Sequence, residues 1–247
     1  MRQVIRSACL VALVLAPLHQ ALAQDVSSAL RKLGAATTGS ASGKTSGLST
    51  SEVSGGLKEA LALGSERAIK GLSRNGGYLE DKAVRIPLPG KLRKIESTLR
   101  MLGQGKAVDE FLVTANRAAE QAIPKAAPIV GDAIRGMSFD DARRILSGPD
   151  DAATRYFREQ TSAALTRALM PIVSAATDKA GATRAYKRML EKAGPATGMI
   201  DDELDVDAYI TDKALDGLFL KLAAEEKSIR HDPVARSTEL LRKVFGT

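Results

Sequence analysis

Five carboxylates fall within seven residues at Asp201, Asp202, Glu203, Asp205 and Asp207, a density of oxygen ligands that invites a divalent cation. Counted from Glu203, the helix-loop-helix calcium pattern requires Gly at its sixth position and Glu at its twelfth, and the chain supplies Ala208 and Ala214. The run therefore reads as the acidic start of a helix, where carboxylates complement exposed N–H groups, with a looser divalent site as the lesser alternative. A second grouping, Gly148 to Phe157, concentrates Gly, Pro, carboxylate, Arg and aromatic residues and contains Asp151, Arg155 and Tyr156. Asp150 and Asp151 suit the cap of a helix, Arg155 and Glu159 have the one-turn spacing of a surface ion pair, and Tyr156 is placed to close over a cleft edge. The third grouping is Asn116 with Glu120, one turn apart beside Ala115 and Ala119, with Glu59 and Glu66 on an earlier helix as carboxylates able to approach them.

Paired carboxylates are the equipment of acid/base hydrolysis, yet glycan-processing clefts also bring aromatic platforms, and this chain has no Trp and four Tyr. Six positions stand out as candidate functional polar residues: Glu59, Asn116, Glu120, Asp151, Arg155 and Tyr156. No catalytic, cofactor-binding or metal-ligating residue is assigned, and no cofactor is expected. His231 sits between Arg230 and Asp232, a helix end where the macrodipole and Asp232 favour a protonated ring, so it reads as a cap. Met101, Met137, Met170, Met189 and Met199 are scattered near helix ends and read as gap fillers.

The elements that must position these residues are helices. Ser49 or Ser51 opens a helix, with Glu52 completing a capping box, whose face Leu57, Ala60, Leu61, Gly64, Ala68 and Leu72 runs to Asn75-Gly76-Gly77. Val84 to Pro89 resists a helix because two alternating prolines hold it extended, and it is expected to cross the core. A single helix is predicted from Leu92 to Leu102, ending at Gly103, and another from Lys106 to just before Pro124. The successive alanines of the latter allow close helix approach and mark it as central. Ser138 caps Phe139 to Leu146; a long helix follows Asp150-Asp151 on the stripe Ala153, Phe157, Ala164, Leu165, Ala168, Leu169 and Ile172, with Pro171 bending it. Helices over 182–193 and Val206 to Ile229 follow, and Leu240, Leu241, Val244 and Phe245 pack in a last segment. No β-alternation is present, so the expectation is an all-α fold, a single compact bundle of about eight to ten helices with short loops.

The N-terminus sets the compartment. Met1 to Arg6 is short and basic, Ala8 to Leu18 is almost wholly apolar, and Ala21-Leu22-Ala23 is a small-x-small cleavage site, which together read as a signal peptide over 1–23. The apolar run is shorter than the roughly 20 residues of a membrane span. Val26 to Leu33 reads as a short helix and Gly34 to Gly47 as a Gly/Ser/Thr-rich tether, so 24–47 precedes a helical domain over 48–247. Cleavage removes Cys9 and His19, leaving no cysteine and one histidine, which excludes disulfides, thiol nucleophiles and Cys-based zinc sites. Cys9 lies too early for a lipidated N-terminus. Losing Arg2 and Arg6 takes the net charge from +7 to +5, a mixed surface with a basic bias that favours anionic envelope surfaces slightly; no basic block interleaved with aromatics points to nucleic acid.

Several blocks resemble a known family. Gly56-Leu57-Lys58-Glu59-Ala60-Leu61, Val84 to Pro89 with Leu92-Arg93-Lys94, Asn116 to Glu120, Gly148 to Phe157, and Tyr209 to Phe219 through Glu225-Glu226 to Ile229-Arg230 are similar to the bacterial exported family catalogued as domain of unknown function 4197. The resemblance covers about residues 48–246 and implies an exported helical protein without an established activity. The resulting expectation is a periplasmic, non-enzymatic protein that binds another molecule, with an envelope protein or a lipid-like ligand as the partners considered, or supports envelope organisation, with no nucleic-acid partner and no membrane span in the mature form. Two alternatives stand beside it: a carrier holding a lipid-like ligand in an inter-helix cavity whose mouth is lined by Pro87 and Pro89, and a carboxylate-dependent hydrolase.

Overall fold

Capping chemistry, apolar periodicity and two prolines account for most of the architecture. The computed structural model describes residues 49–193 and 204–232, all within one compact unit. The signal-peptide, short-helix and tether readings lie outside the described residues, as do Asp201 to Glu203, Met199 and the last segment from residue 233. Among the described residues there are nine α-helices and no strand. They are α1 (Thr50–Ser73), α2 (Gly90–Lys94), α3 (Glu96–Leu99), α4 (Gly105–Ala122), α5 (Ala126–Gly136), α6 (Phe139–Leu146), α7 (Ala152–Ala180), α8 (Ala182–Ala193) and α9 (Val206–His231). The protein is an all-α bundle, as its patterning predicts.

Helix α4 is the hub. Ala115, Ala118, Ala119 and Ala122 are fully buried, and without bulk beyond Cβ they let α7 and α8 pack closely on it while α1 and α9 close the remaining sides. Helix α7 buries Phe157, Thr161, Leu165, Leu169, Val173 and Thr177, a strict four-residue stripe that includes two threonines absent from the predicted one. Thr161 is tolerated there because its hydroxyl donates to the Phe157 carbonyl one turn back, at 2.6 Å. Both predicted capping boxes form, Ser49 with Glu52 and Ser138 with Asp141.

Two expectations are corrected. The single helix predicted from Leu92 to Leu102 is broken at Ile95 into α2 and α3 and then opens into a wide π-type turn, Arg100–Gln104, in which Gly103 takes φ +78°. Met101 in that turn is 79% exposed, so it fills no gap, whereas Met137 and Met189 are buried as expected. Helix α5 was not predicted, because Pro124 and Pro128 look like punctuation. Pro124 instead opens a 3₁₀ turn, Ile123–Lys125, and Pro128 falls in the first turn of α5, where a missing N–H has no helical acceptor to lose.

Candidate functional site

The non-helical segment from Gly76 to Pro89 carries backbone groups that no helix satisfies, and buried side chains of α4 supply the partners. Asn116, fully buried, accepts from the Ile86 N–H at 2.8 Å and donates to the Ile86 and Leu112 carbonyls at 3.0 and 2.7 Å. It pairs with Ile86 as a strand neighbour would. Glu120, one turn on, accepts from the Tyr78 and Leu79 N–H groups at 3.0 and 3.1 Å through one oxygen and from Arg117 at 2.6 Å through the other. Tyr78 donates its hydroxyl to the Ala214 carbonyl at 2.7 Å, its ring lying against Gly217, and Tyr209 donates to the Pro87 carbonyl at 3.0 Å. Burial, reinforced by the Glu120 carboxylate, pushes the Tyr78 phenol far up, and burial pushes Tyr209 up to about 12, so both remain donors at any physiological pH.

A second buried network joins three helix ends. The predicted caps of α7, Asp150 and Asp151, do not cap it. Asp151 instead holds Arg155 at 2.9 Å, which replaces the expected Arg155–Glu159 pair, and Asp150 meets His231 at 2.7 Å. The open N–H groups of Ala153 and Thr154 donate to Glu226 of α9, each at 2.9 Å, and the Thr154 hydroxyl adds a third bond at 2.9 Å. Arg230, one turn beyond, meets Glu226 at 2.9 Å and also donates to the Ile145 and Leu146 carbonyls at the end of α6, at 2.8 and 3.4 Å. One ion pair thus satisfies acceptors at the C-terminus of α6 and donors at the N-terminus of α7. Glu226 was not singled out from sequence; only the family resemblance touched it, within Glu225-Glu226.

The acidic run is likewise structural where it is described. Asp205 accepts from the Asp207 and Ala208 N–H groups as the cap of α9, and Asp207 receives the Ser174 and Thr177 hydroxyls of α7. Among the described residues, no three His, Cys, Asp or Glu side chains converge as a metal-binding set.

An accessible site remains above the second network. Asp141, Arg144 and Ile145 of α6 and Ala152, Arg155, Tyr156, Glu159 and Gln160 of α7 occupy one face of each helix and, with Gly148 and Pro149 of the turn between them, line an open cleft of about 320 Å³. Tyr156 stacks edge-on against Phe157, with centroids 5.8 Å apart, and partial burial and the Asp141 carboxylate raise its phenol pKa against the pull of Arg144. It is a hydrogen-bond donor at the cleft wall, not a base. Asp141 is held below the usual carboxylate range by the Ser138 hydroxyl and N–H and by Arg144. Of the six candidates, Arg155 and Tyr156 meet in this cleft and Asp151 orients Arg155. Asn116 and Glu120 are sealed in the core, Glu59 is half-buried on α1, and the hydrogen bonds of Asn116 and Glu120 go to the 78–86 segment, Leu112 and Arg117 instead of to Glu59 or Glu66. A separate groove of about 370 Å³ lies between α1 and α5, with Ala62, Ile69, Ala127 and Ile134 among its lining and Glu66, Lys70 and Arg135 also facing it; neither cavity reaches Pro87 or Pro89.

The fold and the cleft define an all-helical bundle whose buried polar side chains clip helix ends and one extended segment, leaving a polar, two-helix cleft open to solvent. The chain belongs to the family described as protein of unknown function DUF4197, which matches residues 47–246. No curated protein and no solved structure matches it. Among the described residues, no helix is long and apolar enough to cross a membrane.

Proposed function

We propose that this is an exported, periplasmic, non-enzymatic binding protein that holds a polar segment of an envelope protein in the α6–α7 cleft. The observation that carries this reading is the convergence of Arg144, Arg155, Tyr156 and Gln160 on one accessible cleft between two helices whose adjoining ends are tied by Glu226 and Arg230. Two guanidiniums, a phenol and an amide are donors suited to carbonyl and carboxylate groups of a peptide, and Glu159 is an acceptor for its N–H groups. Hydrolysis asks for two free carboxylates converging in an open cleft; of the two that line this one, Asp141 is held by Ser138 and Arg144, and the buried pair Glu120 and Glu226 is divided between two networks and committed to backbone N–H groups.

The apolar stretch of the α1–α5 groove favours one second reading, a carrier of a lipid-like chain. Native mass spectrometry of the mature protein purified from its periplasm, compared with Arg155→Ala/Tyr156→Phe and with Ala127→Asp at an exposed position of the groove, separates the two. A protein or peptide adduct lost in the double variant, whose thermal melt stays near that of wild type, is the expected result. An adduct that survives the double variant refutes the cleft, a lipid mass lost only in Ala127→Asp installs the carrier, and a ligand-free wild-type monomer counts against both.

A further inference from the structure

The two most exposed large apolar side chains among the described residues are adjacent: Met101 at 79% and Leu102 at 54% relative exposure. They stand in the wide turn between α3 and α4, where the left-handed Gly103 holds the chain out of the helix and away from the core. An exposed Met-Leu pair gains nothing in water, and its surroundings are specific. Helix α8 packs on α4 and touches α3 and this turn. Its buried side is Ala182, Ala185, Tyr186 and Met189, and its outer side carries Arg184, Lys187, Arg188 and Lys192.

The stretches 90–106 and 182–193 together contain nine of the chain's 36 basic residues and two of its 29 acidic ones, and with Asp109 and Glu110 of α4, which pair with Arg100 and Arg188, the corner keeps a basic excess of +5. Some of that charge is tied locally. Arg100 bridges Glu96 and Asp109, Arg188 meets Glu110 at 3.1 Å, and Lys106 stands 3.9 Å from the same carboxylate. Arg93 and Lys94 of α2 and Arg184, Lys187 and Lys192 of α8 are exposed.

We propose that this corner is a membrane-surface contact: Met101 and Leu102 enter the headgroup layer of a bilayer while the flanking cations bind its anionic phosphates. The charge selects the occupant. A purely apolar partner leaves the cations without counter-charge, and a second copy of the chain would set one basic corner against another. An anionic lipid surface satisfies both halves, with each cation near the surface worth about fivefold in affinity and the two inserted side chains more than that together. The inference rests on export but not on the cleft, which uses other residues.

Flotation of the mature protein with phosphatidylcholine vesicles containing 30% phosphatidylglycerol, against pure phosphatidylcholine, tests it. Binding to the anionic vesicles is expected, weakened about tenfold or more by Met101→Ser/Leu102→Ser and similarly by Lys187→Gln/Lys192→Gln, and reduced by 0.5 M salt. These positions are exposed, so an unchanged thermal melt shows that the variants are folded. Absence of binding to anionic vesicles, equal binding to neutral ones, or indifference to the Met101/Leu102 change overturns the proposal. So does a dimer in sedimentation velocity that the Met101/Leu102 variant dissociates.

Discussion

Replacing Glu226 by Ala removes a carboxylate that is 5% exposed and accepts five hydrogen bonds from two helices. The Ala153 and Thr154 N–H groups and the Thr154 hydroxyl lose their acceptor inside the protein, and Arg230 loses its carboxylate at 11% side-chain exposure. Breaking a buried ion pair from one side costs about 3–5 kcal/mol, and loss of a helix N-cap alone about 1 kcal/mol, so a total near 4 kcal/mol is expected. For a domain of this size each kcal/mol lowers the melting temperature by roughly 2–4 °C, which places the variant about 8–16 °C below wild type. Glu225→Ala is the control: its neighbour Arg67 is 3.8 Å away at the surface, so it should cost under about 1 kcal/mol. Differential scanning calorimetry reads both, and native-state amide exchange should show protection lost first at Ala153 and Thr154. A Glu226→Ala melt within about 2 °C of the Glu225→Ala melt would refute the idea that a side chain of α9 caps α7.

Three further outcomes follow from the same geometry. Asn116→Ala should cost about 2–4 kcal/mol by orphaning both Ile86 backbone groups, and Asn116→Asp should be worse, because its second oxygen would face the Ile86 and Leu112 carbonyls; chemical denaturation that ranks Asp above Ala would contradict the pairing. A Cβ at Gly217 would stand 2.6 Å from the Tyr78 ring, so Gly217→Ala should lose about 1–3 kcal/mol, and making it in a Tyr78→Leu background should cost less than the single effects combined. Asp81 and Asp141 have folded-state pKa values below the usual range, through hydrogen bonds from Lys221 and from Ser138 respectively, so their contribution is complete above about pH 4 and disappears as pH falls through those lowered values. Melting temperature should therefore drop on acidification below that point, and Asp81→Asn should flatten the decline; an unchanged slope would remove Asp81 from the account.

What was legible in the sequence is what local chemistry determines. Helix α9 was expected from Val206 to Ile229 and runs to His231, because its apolar spacing and the Asp205 cap both act within a few residues. The Ser49 and Ser138 capping boxes are equally local. The alanines of α4 announced a central helix since only close approach makes use of them, and Asn116 and Glu120 beside them are buried in hydrogen-bonded networks. What escaped is long-range. Glu226 and Thr154 are 72 residues apart, and nothing in the pattern of α9 distinguishes a carboxylate reaching a neighbouring helix end from one facing water. Asp150 and Asp151 looked like caps by type, but the α7 donors turn inward, so a buried carboxylate reaches them and the two aspartates pair with His231 and Arg155. The break at Ile95 opposes a helical pattern that local propensity supports, whereas Gly103, expected to end that pattern, takes the left-handed conformation of a stop.

The division of polar residues between core and surface bears on where function can lie. The segment after the predicted leader has no cysteine, so no disulfide can fasten its non-helical 76–89 segment or its helix ends. Asn116, Glu120, Tyr78, Tyr209, Glu226 and Arg230 perform that fastening with hydrogen bonds to main-chain groups, and a side chain so engaged cannot exchange partners for a ligand without orphaning the backbone it serves. Arg155 and Tyr156 are under no such constraint: Arg155 answers to one exposed aspartate, and Tyr156 is fixed only by its ring. Substitutions in the first set should therefore lower stability and binding together, whereas Arg155→Ala or Tyr156→Phe, which keeps the packed ring, should alter binding at constant melting temperature. A binding defect in Arg155→Ala that always accompanied a fall in melting temperature would place the cleft among the structural networks instead.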